Sequence, residues 1–137
     1  MAQSSKRVWI FGFAIFFLVL AVFMAQARVE HNYETSAAQH ITLRVDSIDF
    51  RSDLTRMYGK LVGRPHTSQR IDAVTLTSGS KQYRATDIDG VDFNRWFQWE
   101  DDGVIPVEID FGKMPKFTKG YIVIETPRGV DRISITK

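Results

Sequence analysis

Apolar and polar positions follow three successive regimes along this chain. From Val8 to Ala25 (VWIFGFAIFFLVLAVFMA) every residue but Gly12 is apolar. From Arg28 to His40 (RVEHNYETSAAQH) the residues are polar, mixed in charge and without period. From Ile41 onward apolar residues alternate with polar ones, the period of a strand with one buried face.

The first regime predicts a membrane-crossing helix. Its eighteen residues, at 1.5 Å each, span about 27 Å, close to the ~30 Å of a bilayer's hydrocarbon core. A helix buried in a globular core would show polar positions at helical period, and none occurs. Lys6 and Arg7 directly precede the run and no acid does. Residues 1–7 are therefore expected in the cytoplasm and residues 28–137 outside it. Ala25-Gln26-Ala27 also matches a signal-peptide cleavage pattern, and cleavage before Arg28 would release a periplasmic or secreted product. The run exceeds the ~7–15 apolar residues of a usual signal core, which favours a retained single-pass anchor over residues 8–25. Residues 28–40 then read as a polar stalk, with His31 and His40 simply solvated.

The third regime predicts about seven short strands over residues 41–137. Ile41, Leu43 and Val45 share one parity, whereas Ile48 and Phe50 take the other, so a bulge is expected near Asp46-Ser47. Leu54 to Val62 places Met57 and Leu61 on one face and Tyr58 and Val62 on the other. Ile71 to Thr77 and Lys81 to Thr86 flank Ser78-Gly79-Ser80, a hairpin connection. Ile105, Val107, Ile109 and Phe111 give the cleanest half-buried strand, and Pro106 within it must lie where no ladder bond is needed. Tyr121 to Glu125 and Asp131 to Thr136 close a last hairpin across Thr126-Pro127-Arg128-Gly129. Strands that each bury one face need a second sheet to cover it, which gives an all-β, antiparallel β-sandwich. One stretch departs from alternation. Asp92 to Trp99 (DFNRWFQW) spaces Phe93, Trp96 and Phe97 as a helical turn capped by Asp92. There the aromatics are expected to plug the core, with an exposed platform through Trp99 as the sharper alternative.

Composition changes the picture once the apolar segment is set apart. The 137 residues are 44% hydrophobic, with 18 basic and 16 acidic side chains and a net charge of +2. Lys6 and Arg7 supply all of that excess, so residues 28–137 are formally neutral and hold no surface suited to nucleic acid. There is no Cys, which excludes disulfides, thiol nucleophiles and Cys-ligated metals.

Candidate chemistry is sparse. Asp87, Asp89 and Asp92, followed by Glu100-Asp101-Asp102, form the densest acidic region, and exported calcium sites are built from such loops. The EF-hand spacing fails, because Gly90 is fourth from Asp87 rather than sixth, and turn-forming acids account for the same residues. In the loop Gly63 to Arg70, the residues Arg64, His66 and Arg70 could converge on an anion with help from Thr67 and Ser68. The favoured alternative pairs Arg70 or Arg64 with Asp72 or another carboxylate. No nucleophile elbow, P-loop, dinucleotide fingerprint or usable carboxylate pair is present, so no enzyme activity and no cofactor is expected.

Two segments carry a family resemblance: Val74 to Asp87 (VTLTSGSKQYRATD) and Gly103 to Phe111 (GVIPVEIDF). With their hairpin and Gly-containing turn they resemble small immunoglobulin-like domains of exported or membrane-tethered bacterial proteins. The resemblance implies an immunoglobulin-like sandwich over residues 41–137 and carries over no catalytic residue. The expected function is a tethered, extracytoplasmic, non-enzymatic binding or accessory module whose partner is an envelope protein or glycan. Its expected contacts are Arg64, His66, Arg70, Trp96 and Trp99, together with exposed strand edges. The alternative is a secreted carbohydrate- or calcium-dependent binding domain using Trp99 with Asp87, Asp89 and Asp92.

Overall fold

The computed structural model describes residues 28–137, in which strands account for nearly all regular structure. The apolar segment 8–25, its flank 1–7 and the cleavage pattern at 25–27 lie outside these residues. Among the described residues no helix is long and apolar enough to cross a membrane. In chain order the strands begin with β1 (Val29–His31), β2 (Glu34–Thr35), β3 (Thr42–Phe50), β4 (Leu54–Val62), β5 (Ser68–Arg70) and β6 (Ala73–Ser78). They continue with β7 (Lys81–Arg84), β8 (Asp87–Asp89), β9 (Trp96–Gln98), β10 (Val104–Gly112), β11 (Lys119–Thr126) and β12 (Gly129–Thr136).

These strands make two five-stranded antiparallel sheets and one small ribbon. The first sheet runs β1-β3-β4-β10-β8, the second β2-β12-β11-β6-β7, and β5 pairs with β9. The seven strands expected from alternation are β3, β4, β6, β7, β10, β11 and β12. The expected bulge is present, since the register of β3 on β4 slips between Val45 and Ser47. That slip returns Ile48 and Phe50 to the buried face already occupied by Leu43 and Val45. Pro106 pairs opposite Lys60 in a part of β10 that β8, which reaches only Glu108 to Asp110, leaves uncovered. The missing N–H therefore costs no ladder bond.

The alternating apolar residues meet between the sheets. Ile41, Leu43, Ile48, Met57 and Leu61 from one side, with Leu76, Ile122, Ile124, Ile133 and Ile135 from the other, are essentially fully buried. Burial at about 25 cal/mol per Å² of apolar surface is what joins the layers, since no disulfide does.

Residues 28–40 are not a stalk. β1 pairs with β3 at the edge of the first sheet, and β2 pairs with β12 at the edge of the second. The chain thus crosses from one sheet to the other and back before β3 begins. Tyr33, between the two short strands, is buried, stacks against Phe117 at 5.6 Å between ring centroids, and donates its hydroxyl to the Phe117 carbonyl at 3.0 Å. A segment of this polarity holds its place through that one aromatic anchor and through ladder bonds to strands already in position.

Burial, with the Glu30 charge adding to it, pushes the Tyr33 phenol up to about 12. A pKa raised on folding means that the folded state holds the proton more tightly. The contribution is complete below pH ~10, the ordinary tyrosine value, and is lost as pH rises through about 12. An alkaline titration followed by phenolate absorbance is expected to show one late transition that Tyr33→Phe removes. A titration curve unchanged by that substitution would contradict the buried placement.

Candidate functional site

The ribbon β5–β9 and the loops beside it hold most of the residues with candidate chemistry. Asp92 to Trp99 is not a helical turn. Phe93 and Asn94 form a turn, with Asn94 at φ 60°, and Trp96 to Gln98 then run extended beside β5. The helical spacing of Phe93, Trp96 and Phe97 was coincidental with a turn, and pairing to Ser68–Arg70 satisfies the backbone as an extended ladder instead.

This change of element exchanges the roles of the two tryptophans. Trp99 is 2% exposed, packed edge-on against Phe97 at 5.2 Å, with Gly63 lying directly on its indole ring. Backbone bonds from Trp99 N–H to the Thr67 carbonyl (2.9 Å) and from His66 N–H to the Trp99 carbonyl (3.0 Å) fix it there. A platform built on Trp99 is therefore not available. Trp96 is 51% exposed, and with Val130 it is one of two large hydrophobic residues left exposed among the described residues.

Trp96 is held rather than loose. It sits opposite Arg70 in the ribbon register, and the Arg70 guanidinium lies 5.6 Å from its ring centroid. Arg70 in turn grips Asp72 through a fork, Nε to Oδ1 at 2.6 Å and the second nitrogen to Oδ2 at 3.1 Å. The hydrogen bonds to Asp72 raise the Arg70 pKa further, so its charge is constant at any physiological pH. The result is an indole face, a cation and a carboxylate in one fixed row.

The loop before the ribbon does not form an anion cradle. Arg70 is committed to Asp72, and His66 Nε2 lies 3.0 Å from Asp101 Oδ1, both exposed. His66 sits at φ 64°, the left-handed conformation that turns the loop. Arg64 is exposed; its carbonyl accepts from the Thr67 hydroxyl at 2.7 Å, and its side chain makes no ion pair among the described residues. The acidic residues are likewise dispersed. Asp87 and Asp89 flank the buried Ile88 on β8, whereas Asp92 pairs with Arg95 at 3.1 Å. Among the described residues no group of three or more His, Asp or Glu side chains is placed to hold a metal ion.

Three arrangements were missed by pattern reading. Arg56 on β4 forks onto Asp110 on β10 at 2.7 and 3.0 Å across the outer face of the first sheet. Glu30 receives both Lys116, at 3.0 Å, and Lys137, which hold its carboxyl below the usual range. His40 is not simply solvated, because its ring Nδ1 lies 2.9 Å from the buried carboxylate of Asp131. A signal for the last did exist. Asp131 has the same parity as Ile133 and Ile135, so alternation alone places it on the buried face.

The edges expected as docking rails are short. Each sheet ends in strands of two to four residues, β1 and β8 on one and β2 and β7 on the other, the form that discourages pairing with another chain. No protein-family model, curated protein or solved structure matches this chain significantly.

Proposed function

We propose that the chain is an immunoglobulin-like domain held outside the cytoplasm by residues 8–25, and that it acts as a non-enzymatic binding or accessory module of the cell envelope. The strand order supports the immunoglobulin-like reading. With β3, β4, β6, β10, β11 and β12 lettered A, B, C, E, F and G, and β8 as D, the sheets read A-B-E-D and G-F-C. The apolar run and its Lys6-Arg7 flank support the tether.

The observation that carries the binding role is Trp96. An indole half exposed on a fixed ribbon, braced by Arg70 and Asp72, is costly to leave in water and contributes nothing to the core. Tryptophan and arginine side by side are the residues most enriched where partners are gripped. The contact face is then Trp96 with Arg70, and an envelope protein or glycan is the partner class.

A photo-reactive amino acid at Gln98, an exposed neighbour on the same face of β9, tests this in intact cells. A discrete adduct is expected, reduced at least about tenfold by Trp96→Ala, the loss of one aromatic hot spot. An adduct indifferent to Trp96, or none, would refute the contact face.

A further inference from the structure

The net neutrality of residues 28–137 conceals a separation of charge along the sandwich. The ladder registers define two ends. At one end lie the start of β1, the β3–β4 turn, the β6–β7 hairpin, the β10–β11 connection and the last residue of β12. Val29 sits opposite Asp49, Leu54 opposite Gly112, and Lys119 opposite Thr136. The Ser78 hydroxyl reaches the Lys119 carbonyl at 3.3 Å, and Lys137 N–H donates to the Thr118 carbonyl at 2.9 Å. Both sheets therefore finish together here.

This end is basic. The six-residue connection Lys113 to Thr118 contributes Lys113 and Lys116, and β11 opens on Lys119. Arg28 and Lys137 stand at the same end, and the hairpin adds Lys81. Opposing them are Glu34, exposed opposite Thr136, Asp53, gripped by Arg51 at 3.1 Å, and Glu30, which already carries two lysines; Asp49, one residue up β3, faces Arg28 at 3.7 Å. At the opposite end Glu100, Asp101 and Asp102 turn into β10, all three exposed, and outnumber Arg64 and Arg128, which are exposed in the loop after β4 and in the β11–β12 turn.

The chain enters at the basic end. Only Gln26, Ala27 and Arg28 separate the apolar run from β1. Three residues reach at most about 10 Å, and the headgroup layer outside the hydrocarbon core is itself roughly 5–7 Å thick. No linker remains to hold the domain away from the lipid.

We infer that the basic end is a seat for anionic lipid headgroups, on which the domain stands upright with Trp96 and the acidic turn directed away from the membrane. The inference rests on the tether proposed above. Electrostatic attraction acts within about a Debye length, ~10 Å, which the short tether guarantees, and the same field disfavours any tilt that brings the acidic turn to the surface. The seat thereby favours one orientation of the domain over the others.

The absence of native cysteine makes single-site labelling direct. Full-length chains carrying Ser52→Cys, in the β3–β4 turn, or Ser68→Cys, on β5, are labelled with an uncharged fluorophore. They are then placed in phosphatidylcholine vesicles with or without phosphatidylglycerol, some of the lipid bearing a headgroup quencher. In anionic vesicles the label at 52 is expected to be quenched about fivefold more than in neutral ones, and the difference should vanish near ~1 M salt. The label at 68 should stay bright throughout. Lys113→Glu with Lys119→Glu, both exposed and remote from the core, should abolish the difference while leaving the circular dichroism spectrum unchanged. Equal quenching in the two lipids overturns the seat. An alkaline carbonate wash separates the two readings: a chain stripped from the vesicles overturns the tether. The stripped chain, mixed with fresh vesicles, then reports on the seat by whether it sediments with anionic lipid at low salt or stays behind.

Discussion

A chain carrying Trp99→Ala is expected to lose about 3–5 kcal/mol of folding stability, whereas Trp96→Ala should cost under about 1 kcal/mol. The two residues lie three apart and share a side-chain type, so the contrast isolates environment. Trp99 fills the space between the Gly63 loop and Phe97 and is almost wholly enclosed. Removing the indole leaves a cavity that the surrounding backbone, tied by the Thr67 and His66 bonds, cannot collapse to fill. Against a typical total of about 5–15 kcal/mol, that loss brings the domain close to unfolding. Gly63→Ala probes the same contact from the other side. A Cβ there would meet the indole carbons, and relieving the overlap is expected to cost about 1–3 kcal/mol. Urea unfolding followed by circular dichroism measures all three. A larger loss for Trp96→Ala than for Trp99→Ala would reverse the assignment of core and surface.

The second large effect is expected at Asp131. Its carboxylate accepts the Ile41 N–H at 2.7 Å and the His40 N–H at 3.1 Å, and bonds the His40 ring at 2.9 Å, all at a position 3% exposed. Those bonds fix the point where the chain, having left β2 in the second sheet, turns into β3 of the first. Asp131→Ala leaves two backbone donors without an acceptor, the one at Ile41 fully buried, and should cost about 3–4 kcal/mol. Asp131→Asn retains one acceptor oxygen and should cost roughly half as much. At about 4–8 °C per kcal/mol for a domain near this size, the alanine variant should melt more than about 10 °C below the parent. A melting temperature within a degree or two of the parent would show that the carboxylate does not pin the crossover.

Seven strands, the bulge and the antiparallel arrangement were legible because each rests on a local rule. Alternation over four to nine residues specifies a buried face, and the change of parity between Val45 and Ile48 leaves a bulge as the way to keep both on it. The five remaining strands were not legible. Two or three residues carry too little pattern, and β1, β2, β5, β8 and β9 extend because a neighbouring strand offers ladder partners. The same reason explains the stalk that proved to be sheet. Arg28 to His40 has no period of its own, but Tyr33 brings it to the core.

The candidate site divides in the same way. Arg70 and Trp96 were marked from residue type, and the pairing of Arg70 with Asp72 was among the favoured alternatives, which also allowed Arg64 and another carboxylate. That Arg70 also braces Trp96, and that Trp99 is the buried one, could not be read from a helical spacing that tertiary pairing overrode. The calcium and anion readings rested on residues close in sequence. The fold directs Asp92 to Arg95, His66 to Asp101 and Arg70 to Asp72, so proximity along the chain did not become convergence in space.

By itself the sequence determined a neutral, cysteine-free, all-β antiparallel domain after an apolar segment, since composition and period two are properties of the chain alone. Only the tertiary structure decided which tryptophan faces water, where residues 28–40 go, and that the lysines of a neutral domain gather at one end. Each of these depends on which strands pair and in what register, because register sets which side chains share an end or a face, and no local pattern encodes it.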